Sequence, residues 1–174
     1  MYIMKKLLIL TMFAFTTLLV VIGCSKNDGA NMGTLSVRLT DAPFNAQQVN
    51  VDIKEVRVNF KDDSTGWVTL ASVPGVYDLL SLQNGKDTLI GKGVYPYGTV
   101  KEVRLILGTN NTIKINNVVY PLTIPSGDES GLKIKVSKGL FTPNEVMVID
   151  FDAALSIKQA SNGDYKLSPV LKLK

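Results

Sequence analysis

A two-residue alternation of apolar and polar side chains is the feature of this sequence that most constrains its fold. In residues 33–40 the apolar positions are Leu35, Val37 and Leu39, and polar or charged residues stand between them. Successive side chains of a β-strand point to opposite faces, so this period predicts a strand with one buried face. Similar segments recur roughly every eight to twelve residues, and no amphipathic helical repeat follows the first of them. The pattern therefore predicts an all-β protein.

The strands predicted from this pattern are short, and turn residues separate them. Their number and spacing predict a single antiparallel β-sandwich over residues 33–174, and a partly open barrel is the alternative. We place the strands at residues 33–40, 49–60, 67–71, 76–82, 88–94, 99–107, 112–115, 118–124, 132–136, 146–158 and 165–173.

Two places along these strands carry a specific local prediction. The apolar positions are odd-numbered in residues 49–53 and even-numbered in residues 56–60, so a regular strand would turn part of its apolar face outward. A β-bulge near Lys54-Glu55 restores the phase. Asn116-Asn117 separates two strands, and asparagine tolerates the positive φ of a two-residue hairpin.

The N-terminal segment has the three regions of a bacterial export signal. Two lysines precede an uncharged apolar run over 7–22, and Gly23 precedes Cys24, the only cysteine of the chain. Residues 21–24 (VIGC) resemble the lipobox of bacterial lipoproteins, in which the cysteine is acylated and becomes the first residue after cleavage. The alternative is an uncleaved transmembrane helix. However, the apolar run would be about 24 Å long as a helix, which is short of a hydrocarbon core about 30 Å thick.

This segmentation divides the chain into three parts. Residues 1–23 are a signal peptide, residues 24–32 are a flexible tether, and residues 33–174 form the β-sandwich domain. We expect lipid, including palmitate, on Cys24 to hold the protein to a membrane. The residue after the cysteine is Ser25 rather than aspartate, which favours the outer membrane, on either its periplasmic or its cell-surface side.

Composition excludes several classes of function. Without its two signal lysines the chain has 17 basic and 15 acidic residues, and no cluster of basic and aromatic residues marks a nucleic-acid surface. Histidine is absent and the one cysteine is assigned to the anchor, which removes the usual catalytic triads and zinc sites. We therefore expect no enzyme activity, no cofactor and no nucleic-acid partner.

Carboxylates are the remaining groups that could form a site. Asp150 and Asp152 stand two residues apart in a predicted strand, which places both on the same outer face. Together with Asp41, at the end of another strand, they could bind a hard cation or sugar hydroxyls. The alternative is a solvated face on which Asp41 stabilises the turn before Pro43. The opposite face is assigned to the core and carries Met147, Ile149, Phe151, Ala153 and Leu155.

Aromatic residues offer a second candidate site. Trp67 with Tyr95 and Tyr97 could form a platform on which a sugar ring stacks, because these rings combine an apolar face with a polar edge. The alternative is that Trp67 packs in the core. The acidic loop at 126–131 (SGDESG) does not match the spacing of calcium loops, so a hairpin tip is the favoured interpretation, and no metal site is assigned.

Several segments of the mature chain carry a family resemblance. They are LSVRLTDAP at 35–43, VNVDIKEVRV at 49–58, GW at 66–67, YDLL at 77–80, VRLIL at 103–107, PSG at 125–127, GLK at 131–133, DFDA at 150–153 and LSPV at 167–170. In this order they resemble the bacterial lipoprotein family of domain of unknown function 4382. The resemblance implies an exported, usually lipidated sandwich related to transthyretin-like and fimbrial modules, with no known activity. Tyr97-Gly98 departs from the Ala-Gly pair of the family.

These observations predict a membrane-anchored extracytoplasmic lipoprotein whose sandwich is a non-catalytic binding or structural module of the cell envelope. The expected partner is a glycan or another envelope protein, besides the membrane itself. The alternative is a fimbrial or adhesion assembly subunit, in which protomers exchange an edge strand. A carboxylate-dependent envelope enzyme that uses Asp150 and Asp152 is a third hypothesis.

Overall fold

The computed structural model describes residues 31–125 and 131–174, so the predicted signal peptide, Cys24 and residues 126–130 of the acidic loop lie outside the described residues. The described chain contains fourteen strands, one short helix and two single turns of 3-10 helix. No helix in this part is long and apolar enough to span a bilayer. The elements are β1 (Met32–Thr40), β2 (Gln48–Asn59), a 3-10 turn (Ser64–Gly66), β3 (Trp67–Thr69), β4 (Ala71–Ser72), β5 (Gly75–Asp78), a 3-10 turn (Leu79–Leu82), β6 (Thr88–Pro96), β7 (Gly98–Leu107), β8 (Thr112–Ile115), β9 (Val118–Thr123), β10 (Leu132–Leu140), β11 (Asn144–Phe151), α1 (Ala153–Ser156), β12 (Ile157–Gln159), β13 (Tyr165–Leu167) and β14 (Leu171–Leu173).

The strands form two sheets, which confirms the predicted all-β sandwich. The first sheet has the strand order β14-β11-β1-β6-β4. The second has the order β10-β7-β2-β8-β9-β13-β12, and β3 and β5 also pair with β2. The chain passes from the second sheet to the first at Leu70, between β3 and β4. At this point a single residue connects a strand of one sheet to a strand of the other.

The expectation of purely antiparallel sheets is wrong, because both sheets are mixed. β1 and β11 are parallel, from Thr34 opposite Asn144 to Thr40 opposite Asp150. β9 and β13 are also parallel. Parallel partners need a long connection instead of a hairpin, and about one hundred residues separate β1 from β11. Turn residues in the sequence predict hairpins between consecutive strands, but they do not predict pairing between strands so far apart in the sequence.

A single cluster of buried apolar residues forms the core. Alternate residues of the long strands reach it, as the period of two predicts, and the tightly packed interior is the main source of stability available to a domain of this kind. The largest fully buried side chains are those of Leu35, Leu39, Ile53, Leu79, Ile90, Leu105, Ile113, Leu140, Met147, Ile149, Phe151 and Leu167.

Both local predictions are confirmed. The pairing of β2 with β7 shifts its register between Ile53 and Glu55, so a bulge lets odd-numbered and even-numbered residues share the buried face. Asn116 and Asn117 join β8 to β9 with φ angles of 50° and 63°. This left-handed conformation is one that asparagine adopts at little cost.

The long strand predicted over residues 146–158 is wrong. β11 ends at Phe151, and α1 follows before the chain enters β12 of the other sheet. The carboxylate of Asp152 accepts a hydrogen bond from the N–H of Leu155 and so caps α1. Leu155 is consequently exposed and does not join the core. The strand predicted over residues 165–173 is likewise divided between β13 and β14, which belong to different sheets.

Candidate functional site

Asp41 is buried directly after β1, where it connects two distant loops. Its Oδ1 accepts a hydrogen bond from the N–H of Ala153 at 3.0 Å, and its Oδ2 accepts one from Nε2 of Gln83 at 3.1 Å. Burial raises the pKa of this carboxyl, the two hydrogen bonds lower it in part, and the charge of Asp150 adds to the rise. Asp41 therefore stabilises the start of α1.

Asp150 and Asp152 do not lie in the one continuous strand that the sequence predicts. Asp150 lies in β11, whereas Asp152 caps α1. Oδ2 of Asp152 lies 2.7 Å from Nζ of Lys172, and Oδ2 of Asp150 lies 3.8 Å from Nζ of Lys174. The hydrogen bond from Lys172 lowers the pKa of Asp152. Each carboxylate is thus paired with its own lysine in or beside β14.

The arrangement of these three acids favours a structural role. Residues 31–125 and 131–174 contain no group of three or more acidic, histidine or cysteine side chains that could hold a metal ion. Oδ1 of Asp150 is buried and has no partner among these residues, but one oxygen is far from the six to eight that calcium takes. The remaining carboxylate contacts are internal to the protein.

Trp67 begins β3 on the outer face of the second sheet. The next residue, Val68, packs against the core, so the alternation along the strand directs Trp67 away from it. The guanidinium carbon of Arg104 lies 4.3 Å from the centroid of the Trp67 ring, which is a cation–π contact. Trp67 is therefore a half-buried surface residue held in place by Arg104.

The predicted platform of Trp67, Tyr95 and Tyr97 is not assembled. Tyr95 packs against the core, and its ring centroid lies 5.4 Å from that of Phe60. Burial raises the pKa of Tyr95. Tyr95 and Tyr97 line a groove near the turn between β6 and β7, and Trp67 does not line that groove. A ligand that stacks on Trp67 must therefore find its polar contacts among other neighbours.

Three cationic residues form a row across the outer face of the second sheet. In the register of the strands, Lys133 of β10 is opposite Arg104 of β7, and Arg104 is opposite Arg57 of β2. Neighbouring strands lie about 4.8 Å apart, so one strand spacing separates successive residues of the row. Lys135 stands two residues after Lys133 on the same exposed face of β10. We call Arg57, Trp67, Arg104, Lys133 and Lys135 the cationic face.

The positive charges of this row are only partly neutralised within the described chain. Like charges opposite each other in a sheet are destabilising. Arg57 has a partner, because its Nε and Nη2 donate to Oε2 of Glu55 at 2.8 Å and 2.6 Å. Nε of Arg104 is buried and has no acceptor among residues 31–125 and 131–174. Lys133 and Lys135 form no ion pair with any residue in those ranges.

The side chains of the cationic face have the chemistry to bind an anion. A guanidinium group can donate two parallel hydrogen bonds to a carboxylate or a sulfate, and lysine adds a mobile positive charge. The stack on Trp67 orients Arg104 in advance, so less side-chain entropy is lost when an anion binds. The accessible part of the indole offers an apolar surface on which a sugar ring can stack. These groups together suit a ligand that is both cyclic and acidic.

Sequence reasoning singles out Trp67 but misses the cations around it. Arg57, Arg104, Lys133 and Lys135 each occupy an outward-facing position of an alternating strand, which is the ordinary place for a charged residue. Their proximity depends on the register between β2, β7 and β10, strands that are far apart in the sequence. The alternation in the sequence predicts which side chains of each strand point outward. It does not predict how the strands are aligned with one another.

Comparison with known proteins identifies the family. No curated protein matches the chain. No solved structure matches it either. A family model described as "Domain of unknown function (DUF4382)" matches residues 32–169, which include every residue of the cationic face. The resemblance to this family is thereby confirmed, and the chain belongs to the DUF4382 family.

Proposed function

We propose that this protein is a membrane-anchored extracytoplasmic module whose cationic face binds acidic glycans, that is, polysaccharides with carboxylate or sulfate groups. The observation that carries the proposal is the stack of Arg104 on Trp67 within a row of cations. In the described residues this row has a single carboxylate partner, on Arg57. The described residues give the other charges of the row no carboxylate within ion-pair distance, which supports their availability to an external anion.

A glycan can use both parts of the cationic face at once. A sugar ring stacks on the indole of Trp67, while an acidic substituent accepts hydrogen bonds from Arg104 and Lys133. A polymer of acidic sugars carries charges at regular intervals, and the row offers cations at intervals of about 4.8 Å. Glu55 and Glu102 lie on the same sheet beside these cations. They weaken the continuous positive field on which non-specific nucleic-acid binding depends.

The N-terminal sequence supports the proposed location. The predicted export signal ends at Gly23, directly before Cys24, and lipid on Cys24 would hold the domain to a membrane, with Ser25 favouring the outer membrane. We propose a non-catalytic role without a cofactor. This part of the proposal is supported by the lack of histidine in the sequence and by the internal partners of Asp41 and Asp152.

Affinity electrophoresis of the intact protein in mild detergent tests the proposal. We expect gels that contain alginate, a polymer of uronic acids, to retard the protein, and gels that contain neutral dextran to leave its mobility unchanged. Added salt should weaken the retardation, because it screens pairs between exposed charges. Equal retardation by both polymers, or by neither, would contradict the proposal. Retardation by DNA as strong as that by alginate would also contradict it and would indicate a general polyanion surface.

Matched lysine variants locate the binding surface. Lys133→Gln removes a charge from the cationic face, and Lys158→Gln removes the same charge from an exposed position of β12 outside it. We expect Lys133→Gln to weaken alginate binding several-fold and Lys158→Gln to leave it unchanged, because an ion pair between exposed charges contributes up to about 1 kcal/mol. If the two variants bind equally well, the anion does not bind at the cationic face.

Assembly by strand exchange is the second candidate function, and β10 is the observation that favours it. In the described residues this nine-residue strand is the edge of the second sheet and pairs only with β7. Such an edge can accept a further strand. The lysines at 133, 135 and 138 are a common protection against that event, so we expect sedimentation of the intact protein in detergent to show a monomer. Polymers or strand-exchanged dimers would support the assembly function instead.

A further inference from the structure

Exposed apolar side chains gather at the end of the sandwich where β1 begins. The N–H of Tyr97 donates to the carbonyl of Asn31 at 2.7 Å, which fixes the incoming chain at the turn between β6 and β7. The turn between β10 and β11 lies beside it, because the carbonyl of Pro143 accepts a hydrogen bond from β1 at 2.9 Å. Phe141 in that turn is 61% exposed, and Met32 is 48% exposed. We call this region the tether end.

An apolar groove of about 450 Å³ opens at the tether end. Three aromatic residues, Phe60, Tyr95 and Tyr97, line it together with Pro96. Tyrosine combines an apolar ring with a polar hydroxyl, which is the reason that it is enriched where a protein meets the boundary between lipid and water. The groove therefore continues the exposed apolar surface that Phe141 and Met32 form.

Lysines border this apolar surface. Lys61 lines the groove, and Lys101 and Lys138 lie on β7 and β10 close to the same end. Nζ of Lys101 is 3.6 Å from Asp62, and Nζ of Lys138 is 3.5 Å from Glu145. Acidic residues therefore accompany these lysines, and both ion pairs are longer than a close hydrogen bond. Lysines at such a border suit a membrane surface that contains some anionic lipid.

The predicted anchor would keep this end close to lipid. The chain from Cys24 to Asn31 spans at most about 25 Å when fully extended, because each residue adds roughly 3.5 Å. A short linker of this kind raises the effective concentration of the tether end at the bilayer, so weak apolar contacts are enough to hold it there. The opposite end of the sandwich, where β1 finishes, is about 26 Å further away along the strand.

We propose that the tether end rests on the bilayer that holds the lipid of Cys24, with Phe141, Met32 and Tyr97 at the level of the lipid headgroups. This inference depends on the lipid anchor of the proposed function, and it adds a defined orientation of the domain on the membrane. The hairpin at Val118 and Val119 is also apolar and exposed, but it lies near the start of β2 at the other end and far from the tether.

Nitroxide labels at the two ends of the domain test the orientation. Cys24 is the only cysteine and is acylated in the proposed mature protein, so Thr142→Cys and Lys86→Cys each provide one labelling site. Thr142 adjoins Phe141, whereas the carbonyl of Lys86 accepts a hydrogen bond from Thr40 at the far end of β1. In vesicles of phosphatidylcholine and phosphatidylglycerol, we expect label 142 to lose most of its collisions with a water-soluble nickel chelate. Label 86 should keep its collisions with the chelate.

The possible failures of this experiment are distinguishable. If mass spectrometry finds no acyl group on Cys24, the anchor is wrong and the docking proposal falls with it. If the acylated protein floats with the vesicles and label 142 is as accessible to nickel as label 86, only the docking proposal is wrong. Acylation, flotation and a shielded label 142 together would support both.

A pair of variants assigns the docking to the aromatic end. Phe141→Ser should restore the collisions of label 142 with nickel, because it removes the most exposed aromatic side chain of the tether end. Val119→Ser is the control, since Val119 is 59% exposed at the opposite end and its replacement should leave the shielding of label 142 intact. Circular dichroism verifies that both variants are folded. A folded Phe141→Ser protein that keeps label 142 shielded would overturn the proposed contact.

Discussion

At the scale of single residues, Asp152 shows how one carboxylate can stabilise several parts of a chain. Its Oδ1 accepts a hydrogen bond from the N–H of Leu155, and its Oδ2 accepts one from Nζ of Lys172. Its backbone N–H donates to Val170, and its carbonyl accepts from the hydroxyl of Ser156. Asp152 therefore fixes the point where the chain leaves the first sheet and turns towards the second.

The ion pair of Asp152 makes stability depend on pH. Lys172 lowers the pKa of Asp152 in the folded protein below the ordinary value of 3.8. The pair therefore stabilises the fold fully above that value, and its contribution is lost as the pH falls through the folded-state pKa. We expect Asp152→Asn to be less stable than the wild-type protein in urea at neutral pH, and this difference to shrink below pH 3.8. A difference that is the same at both pH values would contradict this account.

The cap that Asp152 provides is separable from its charge. Asparagine keeps an oxygen that can accept the hydrogen bond from Leu155, whereas alanine does not. We expect Asp152→Ala to unfold with about 1 kcal/mol less free energy than Asp152→Asn at neutral pH, which is the typical contribution of an N-cap. Urea denaturation followed by circular dichroism measures this difference. Equal stability of the two variants would show that the cap contributes nothing.

Residue types in the sequence indicate which side chains are unusual, but they do not indicate why. Asp41, Asp150 and Asp152 stand out as acids beside apolar strands, and the structure gives them internal partners. Trp67 stands out as the only tryptophan, and its partner Arg104 is an ordinary strand residue until the strands are aligned. The same residue type occurs where a side chain binds a ligand and where it contacts a partner within the protein. The sequence therefore does not distinguish these two roles.

At the scale of elements, local signals predict local features. The change of phase in β2 and the Asn116-Asn117 pair both depend on neighbouring residues, and the structure contains the bulge and the hairpin. The end of β11, in contrast, could not be predicted from the alternation of apolar residues. Ala153 and Leu155 continue the apolar alternation of β11 through α1, so the period of two hides the cap at Asp152.

The hairpin at Asn116 gives a test of the element that joins β8 to β9. Asn116 has a φ of 50°, where a β-branched side chain is strongly disfavoured. We expect Asn116→Val to lower the free energy of unfolding by about 1–2 kcal/mol, the usual cost of the left-handed region, and Asn116→Gly to change it little. Urea denaturation compares the two variants. If valine is tolerated as well as glycine, the turn does not require this conformation.

At the scale of the whole molecule, the topology brings together strands that are distant in the sequence. β1 pairs with β11, and β10 pairs with β7, which is bonded to β2. The class of fold follows from periodicity alone, but these pairings depend on long connections that periodicity does not encode. The sandwich that results has a cationic face on the side of the second sheet and an apolar tether end at the start of β1.

These two surfaces fit one arrangement on the membrane. β1 runs from the tether end to the opposite end of the domain, so the proposed docking at the tether end would direct the strands away from the bilayer. The cationic face would then stand beside the membrane instead of against it. A long acidic polysaccharide could approach this face without displacing the anchor.

The most direct test of the central claim is the fluorescence of Trp67, because the chain has no other tryptophan and this one lies in the cationic face. The intact protein is titrated with oligomers of uronic acid and, separately, with neutral oligomers of the same length. The account predicts a saturable change in emission with the acidic oligomers only. It also predicts a midpoint that rises with salt and rises again in Lys133→Gln but not in Lys158→Gln. Unchanged emission at saturating acidic oligomer, or the same titration curve with the neutral one, would contradict it.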